Sequence, residues 1–263
     1  MTKFFPVKEV ILRADVAADM KSLIEKARQT ISEADQILFF VGAGLSQASG
    51  IKTFRDNDGY YQDKRVEELA HIDSFFHQRK VMLSWYQMRR NQMSTVVPNG
   101  AHYAIARIAK NKKVVVSTQN VDDLLERAQR REGVDCPVWH VHGAIADVIC
   151  HQCGYQFTDA HFDLGDMPKC EKCNGPLRPG VVWFGEALPP EPFQNSVAAA
   201  LACDVCILVG TSGVVYPAAT IPEQAAAQGA TLIEVNPSAS ALSPRCDIVL
   251  RGPAHEIMPK LIS

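Results

Sequence analysis

The stretch Ile37-Leu38-Phe39-Phe40-Val41-Gly42-Ala43-Gly44-Leu45-Ser46-Gln47-Ala48-Ser49-Gly50 passes from five apolar residues directly into a turn of small ones. Consecutive apolar positions, without polar alternation, predict a strand buried on both faces, as in a parallel sheet covered by helices. The small residues behind it predict a tight turn whose backbone amides can be aimed at a pyrophosphate. Five further runs of the same kind follow, at residues 114–117, 138–141, 205–209, 231–235 and 248–250. Segments of helical character separate them, at 19–33, 101–110, 121–130 and 217–228. Strand and helix in alternation predict an α/β fold, a Rossmann-like parallel sheet with helices on both faces. In such folds ligands bind at the carboxyl ends of the strands, which is where the glycine turn falls.

Two stretches break the alternation. Residues 52–94 are polar and then helical, and residues 150–173 carry four cysteines and few strand formers. Both are expected as insertions. The implied organisation is a discontinuous Rossmann-like domain over 1–51, 95–146 and 178–263, a helical and cofactor-loop module over 52–94, and a zinc-binding module over 147–177. Residues 1–18 have no assigned place in it.

A chain of 263 residues with 47% hydrophobic and 21% charged residues has the composition of a globular protein with a sizeable core, which excludes disorder as the main theme. Its net charge of −2 supplies no global field toward nucleic acid or an anionic membrane. The apolar runs fall far short of the roughly 18 residues of a membrane-spanning helix. Lys3, Lys8, Glu9, Arg13, Asp15 and Asp19 interrupt the N-terminal segment, so no secretory leader is expected and a reducing, cytoplasmic location is, in preference to a mitochondrial one.

The eight cysteines are therefore read as ligands before disulfides. Cys150-x2-Cys153 and Cys170-x2-Cys173 are separated by 16 residues, the pattern of a closed four-thiolate zinc site, structural because no coordination position is left open. Cys203-x2-Cys206 has the same form, but Cys206 falls within a strand and no partner pair remains. His142 ends a strand at the cleft, with His140 two residues earlier as a rival base. Gln119-Asn120-Val121-Asp122 runs from a strand end toward a helix start, where capping alone would also favour Asn and Asp. Gln47 stands where the dehydrogenase pattern G-x-G-x-x-G has its third glycine, which disfavours hydride transfer.

Taken in order, Gly42-Ala43-Gly44-Leu45-Ser46, Gly50-Ile51-Lys52-Thr53-Phe54-Arg55, Thr118-Gln119-Asn120-Val121-Asp122, His142-Gly143, Gly210-Thr211-Ser212 and Val235-Asn236 resemble the sirtuin family over about residues 37 to 258. The resemblance implies NAD-dependent removal of acyl groups from lysine, giving nicotinamide and O-acyl-ADP-ribose, with NAD as co-substrate and one structural zinc. It implies that His142 is the general base on a ribose hydroxyl, that Gln119 and Asn120 orient the ribose with Asn120 at the attacked face, and that Asp122 holds the nicotinamide carboxamide. Phe54 would shield the reacting ribose and Arg55 would sit near the phosphates. NAD would further be lined by Gly42, Ala43, Gly44, Ser46, Val121, Gly210, Thr211, Ser212, Asn236, Pro237, Ser238 and Ala254. Val182, Trp183 and Phe184, within Val181-Val182-Trp183-Phe184-Gly185-Glu186, are similar to the segment that takes the acylated peptide as an added strand, although a buried hairpin strand would have the same pattern.

Tyr86 and Arg89 lie three apart and so share one helix face. The Tyr-x-x-Arg pair is similar to that of sirtuins acting on acidic acyl groups, which implies a desuccinylase or demalonylase preference. The alternative is a helix ending in Arg89 and Arg90 that face solvent. Two other function classes use the same features, mono-ADP-ribosyl transfer to a protein side chain and non-catalytic nucleotide sensing.

Overall fold

The computed structural model describes residues 20–51, 60–61 and 64–262. Helix α1 (Met20–Glu33) leads into β1 (Gln36–Val41), and a two-strand hairpin, β2 (Tyr60–Tyr61) with β3 (Lys64–Arg65), precedes three helices, α2 (Val66–Leu69), α3 (Ile72–His77) and α4 (Arg79–Met93). The parallel framework resumes with α5 (Gly100–Ile108), β4 (Lys113–Thr118), α6 (Leu124–Glu132) and β5 (Val138–His140). Three antiparallel strands follow, β6 (Gly143–Cys150), β7 (Gln156–Thr158) and β8 (Leu177–Val181). The chain then returns through α7 (Pro190–Ala202), β9 (Val205–Val209), α8 (Thr220–Ala227), β10 (Thr231–Val235), β11 (Ile248–Leu250) and α9 (Ala254–Ile257).

The large sheet has the order β11-β10-β9-β1-β4-β5, with every neighbouring pair parallel. The expected six strands are thus the observed six. The parity of β1 shows why it carries no polar residue in its core: Ile37, Phe39 and Val41 pack with Ala27, Ile105 and Ile257 on one face, and Leu38 and Phe40 pack with Ala200 and Ile221 on the other. Burying each of these side chains contributes about 1.5–3 kcal/mol, so the strand is fixed from both sides. The chain winds from β1 through β4 to β5 on one side, then crosses to β9, β10 and β11 on the other. The reversal opens a crevice at the carboxyl ends of β1 and β9.

Three expected segments differ in extent. The helix expected over 121–130 begins only at Leu124, because residues 121–123 form a turn in which Ile145 N donates to Val121 O at 2.8 Å. The helix expected from 217 begins at Thr220. The sheet that carries the cysteines runs from Gly143 to Val181, wider than 147–177, because both flanking runs pair with each other across β6 and β8. No helix among the described residues is long and apolar enough to cross a membrane.

Candidate functional site

The turn after β1 and the turn after β9 are stacked on one another. Gly44 N donates to Gly210 O at 2.9 Å, and a Cβ on Gly44 would lie 2.7 Å from Gly210 Cα. The glycines of this motif are therefore required first by loop-on-loop contact of backbone, which a side chain at either position would separate. Around the contact stand Ser46, Gln119, Asn120, Asp122, Thr211 and Asn236, all just beyond strand ends. Gln119 Nε2 donates to Thr211 Oγ1 at 2.8 Å, and Asn236 Nδ2 donates to Thr211 O at 2.7 Å, so the turns after β4, β9 and β10 are tied in a row. Ser212 joins the row through its carbonyl, which accepts from Ala241 N at 3.0 Å. Pro237 and Ser238 are exposed beyond β10, and Ala254 is buried at the start of α9. Phe54 and Arg55 lie outside the described residues.

Ser46 is buried at the centre of a polar chain. His102 Nδ1 accepts from Asn99 N at 3.1 Å, so the neutral ring carries its proton on Nε2, which lies 3.3 Å from Ser46 Oγ and donates to it. Asn120 Nδ2 donates to the same oxygen at 3.2 Å, and the Ser46 hydroxyl in turn donates to Asp122. Burial pushes His102 down to about 4, which keeps it neutral. Asp122 is also buried, and desolvation raises it above the usual carboxylate range against the pull of Leu124 N, the Ser46 hydroxyl and His140. A carboxyl group with few internal donors keeps acceptor capacity for an amide, so the site fits the carboxamide end of a nicotinamide nucleotide.

The two histidines are told apart by what they face. His142 Nδ1 lies 3.1 Å from the carbonyl of Gln119, so that nitrogen carries the proton and Nε2 presents a lone pair. Burial lowers its pKa from the ordinary value, the Gln119 carbonyl opposing, which leaves the ring neutral near pH 7 and able to accept a proton. His140 has both nitrogens engaged, at 2.9 Å to Asn120 O and 2.6 Å to Glu126 Oε1. It cannot accept a proton from a ligand without breaking a contact. Gly143 gives His142 its place: it adopts φ +73°, and a Cβ there would lie 2.1 Å from Gly180 O, so the chain turns sharply into β6 directly after the histidine.

Cys150, Cys153, Cys170 and Cys173 come together with all four sulfurs within 4.8 Å of one another. Backbone amides of Cys153, Lys172 and Gly175 point at Cys150, Cys170 and Cys173 sulfurs at 3.4–3.5 Å, the arrangement that favours thiolates. Four thiolates at that spacing with no further donor fit a structural zinc. Cys203 and Cys206 stand apart from this cluster, and burial raises both, Cys203 to about 11.

Helix α4 lies against this small sheet. Neither arginine at its end faces solvent freely. Arg90 is buried and donates to the carbonyls of Ile145, Asp147 and Asp159, and Arg89 is half-buried with its guanidinium 5.0 Å from the Trp85 ring. Tyr86 is buried, and its hydroxyl oxygen accepts from Trp183 Nε1 at 2.9 Å. Burial raises Tyr86 and lowers Arg89 from their ordinary values, each opposed by the other's charge, with Asp122 also supporting the Arg89 cation. Trp183 is 2% exposed, wedged between Phe75, Tyr86 and the Arg178 guanidinium at 4.2 Å. Its backbone is engaged as well, N donating to Glu186 Oε2 at 2.9 Å and O accepting from Glu186 N at 3.0 Å. The neighbouring Val182 N and Phe184 N already donate to His142 O and Ala70 O, whereas the Phe184 side chain is exposed. Of the segment 181–186, only Val181 belongs to a strand.

A model described as the Sir2 family matches residues 42–217, which contain every one of these turns except the one after β10. The chain belongs to the Sir2 family. Among its Sir2 relatives, an NAD-dependent protein deacylase of Archaeoglobus fulgidus is 40% identical over 240 residues, spanning 90% of this chain and 96% of that one. The structure of a Sir2 homologue in complex with NAD superimposes with a TM-score of 0.83 at 40% identity, covering 90% and 92% of the two chains. A Sir2 structure bound to a myristoylated histone peptide does so with a TM-score of 0.73 at 30% identity, covering 92% and 95%. The Sir2 fold accounts for the six-strand parallel sheet and the four-cysteine cluster together.

Three polar groups of the site have no signal in the motifs. His102 is visible in hindsight as the partner of Asn99 in a reciprocal helix cap, a local pattern that says nothing of its Nε2 contact with Ser46. Glu126 and Arg178 are brought in by tertiary packing alone.

Proposed function

We propose that this protein removes acyl groups from lysine side chains at the expense of NAD, with acidic acyl groups such as succinyl and malonyl among its substrates. The observation that carries the reaction is the neutral His142, oriented by Gln119 O at 3.1 Å on the same edge as Asn120 and the buried Asp122. The naming of the A. fulgidus relative and the NAD complex of another support the same cofactor and chemistry. Bound NAD supplies the electrophilic ribose carbon and leaves as nicotinamide and O-acyl-ADP-ribose. The chain's own groups do the rest. Asp122 accepts from the carboxamide, Gln119 and Asn120 orient the ribose, and His142 Nε2 takes the proton of a ribose hydroxyl. The histone peptide held by a Sir2 relative supports a peptide-borne acyl-lysine, and Val182–Phe184 is the segment we assign to its backbone.

The acidic acyl preference rests on Tyr86 and Arg89, which lie within electrostatic reach of each other and, for Arg89, of Asp122. Trp183 donates to the Tyr86 oxygen and so leaves the hydroxyl proton for an acceptor. A guanidinium fork with a phenol beside it matches a carboxylate. Arg89→Met is expected to lower kcat/KM on succinyl-lysine peptide about 100-fold or more and on acetyl-lysine peptide less than about 3-fold, since only the former leaves a buried carboxylate without a counter-charge. Tyr86→Phe should give the same pattern with a smaller loss. Parallel losses on the two peptides would assign the pair to folding or NAD binding instead.

A further inference from the structure

We propose that His140 and Glu126 are a positioning pair for this reaction, in which a doubly protonated His140 ring bridges the Asn120 carbonyl and the Glu126 carboxylate and so fixes the turn 119–122. His140 ends β5 and lies two residues before the base, and nothing in the mechanism above uses it. Its Nδ1 faces a carbonyl at 2.9 Å and its Nε2 a carboxylate oxygen at 2.6 Å. Neither partner has a proton to give while Glu126 is ionised, so both ring nitrogens must donate. Burial works against the charge, but the Glu126 contact outweighs it and the pKa of His140 is raised. His142, which faces one acceptor among the described residues, is shifted the other way. Two histidines separated by one residue thus hold opposite proton states.

The charged neighbours all bear on the same point. Glu126 approaches from α6, and among the described residues its Oε2 is buried without a hydrogen-bond partner, so His140 is the cation that compensates it. Asp122, on the turn itself, is held toward its ionised form by His140 against desolvation. The Cys136 thiol, pushed up to about 11 by burial and by Asp135 and Glu126, stays neutral. When His140 loses its proton, one of its two contacts becomes lone pair against lone pair, and Asp122 loses the nearby positive charge. The turn that carries Asn120 and Asp122 then loosens. Activity should therefore have an acid limb set by His142 and an alkaline limb set by His140.

The inference rests on the NAD-dependent reading above, and the test separates the two. The pH profile of kcat/KM for NAD is measured for the native chain and for Glu126→Gln, with nitrogen-15 spectra of the imidazole rings over the same range. The expected native spectrum has both His140 nitrogens protonated at pH 7. In Glu126→Gln the alkaline limb should move down by about one pH unit or more, the usual effect of losing an opposite charge at contact distance, while the acid limb stays. His140→Gln should lower kcat/KM for NAD about 10-fold near neutrality and lack the alkaline limb, since an amide can replace only one of the two donors. A singly protonated His140 at pH 7, or a Glu126→Gln profile scaled equally at every pH, would overturn the pair's role. A protein without NAD-dependent turnover would remove the functional reading only; the limb would then be read in ADP-ribose affinity, and an unmoved limb there would overturn the proposal equally.

Discussion

The carboxyl edge of the parallel sheet and the four-cysteine sheet place their functional atoms by opposite means. At the sheet edge, the side chains hang from several strand ends, three of them from the turn after β4, and the arrangement exists because β1, β4, β9 and β10 are locked by apolar residues on both faces. In the cysteine sheet, four sulfurs from two x2 pairs gather at one end of β6 and the segments beside it. One region positions chemistry through a core that would stand without a ligand. The other packs Ile145, Val148, Leu177 and Val181 against α4 and adds the hold of four converging sulfurs. Helix α4 joins them, through Arg90 to β6, Gln87 to Leu164 and Arg79 to Pro168, so the Tyr86 and Arg89 face inherits its position from the metal-held side.

Taking the metal away should separate the two regions most severely. Cys170→Ser, or chelation, should unfold the small sheet, since binding at such sites is worth on the order of 10 kcal/mol of folding free energy. Hydrogen exchange should show protection lost in β6, β7 and β8 and kept in β1, β4 and β9. Stoichiometric zinc in the Cys170→Ser protein, with unchanged exchange, would show that the cysteine sheet also stands on its packing.

A smaller blow falls on the other side. Gly44→Ala brings a methyl to within 2.7 Å of Gly210 Cα, and the two turns must part. The expected cost is about 2–4 kcal/mol in denaturant unfolding, with NAD affinity reduced and zinc content untouched. Loss of zinc from this variant would mean the two regions are not separable.

The smallest effect is in pH. His102 is fully buried and pushed down to about 4, below its ordinary 6.5, so the unfolded chain binds the additional proton in between. Its contribution is present above pH 6.5 and is lost as pH falls toward 4, at most about 3 kcal/mol. Melting temperatures across that range should fall less steeply for His102→Gln than for the native chain. An identical slope would place the acid sensitivity elsewhere.

What was legible in the sequence follows the same division. The cysteine ligands could be read from spacing alone, because both members of each pair sit on one tight turn and the chemistry is local. The sheet could be read from runs such as 37–41 and 205–209, because burial on both faces removes polar residues from consecutive positions. His142 could not be separated from His140 by position, since both approach the same edge. Only the partners decide, a single carbonyl for one and a carbonyl with Glu126 for the other. The network of Ser46 with His102 was likewise hidden, since 56 positions of chain separate the two residues and their contact exists only when α5 packs behind the glycine turn. The contact of the Trp183 ring with Tyr86 was hidden as well, since it exists only where the segment after β8 closes against α3 and α4.

If His142 Nε2 is the base of an NAD-consuming deacylation, products and turnover must follow it together. The most direct measurement is the product balance of the native protein and of His142→Ala with NAD and an acyl-lysine peptide, alongside calorimetric NAD affinity. One nicotinamide and one O-acyl-ADP-ribose are expected for each lysine freed, with a loss of about 10² to 10⁴ in turnover for the variant and NAD affinity little changed, as for a general base. Nicotinamide released without matching free lysine, or a variant within about 10-fold of the native rate, would contradict it.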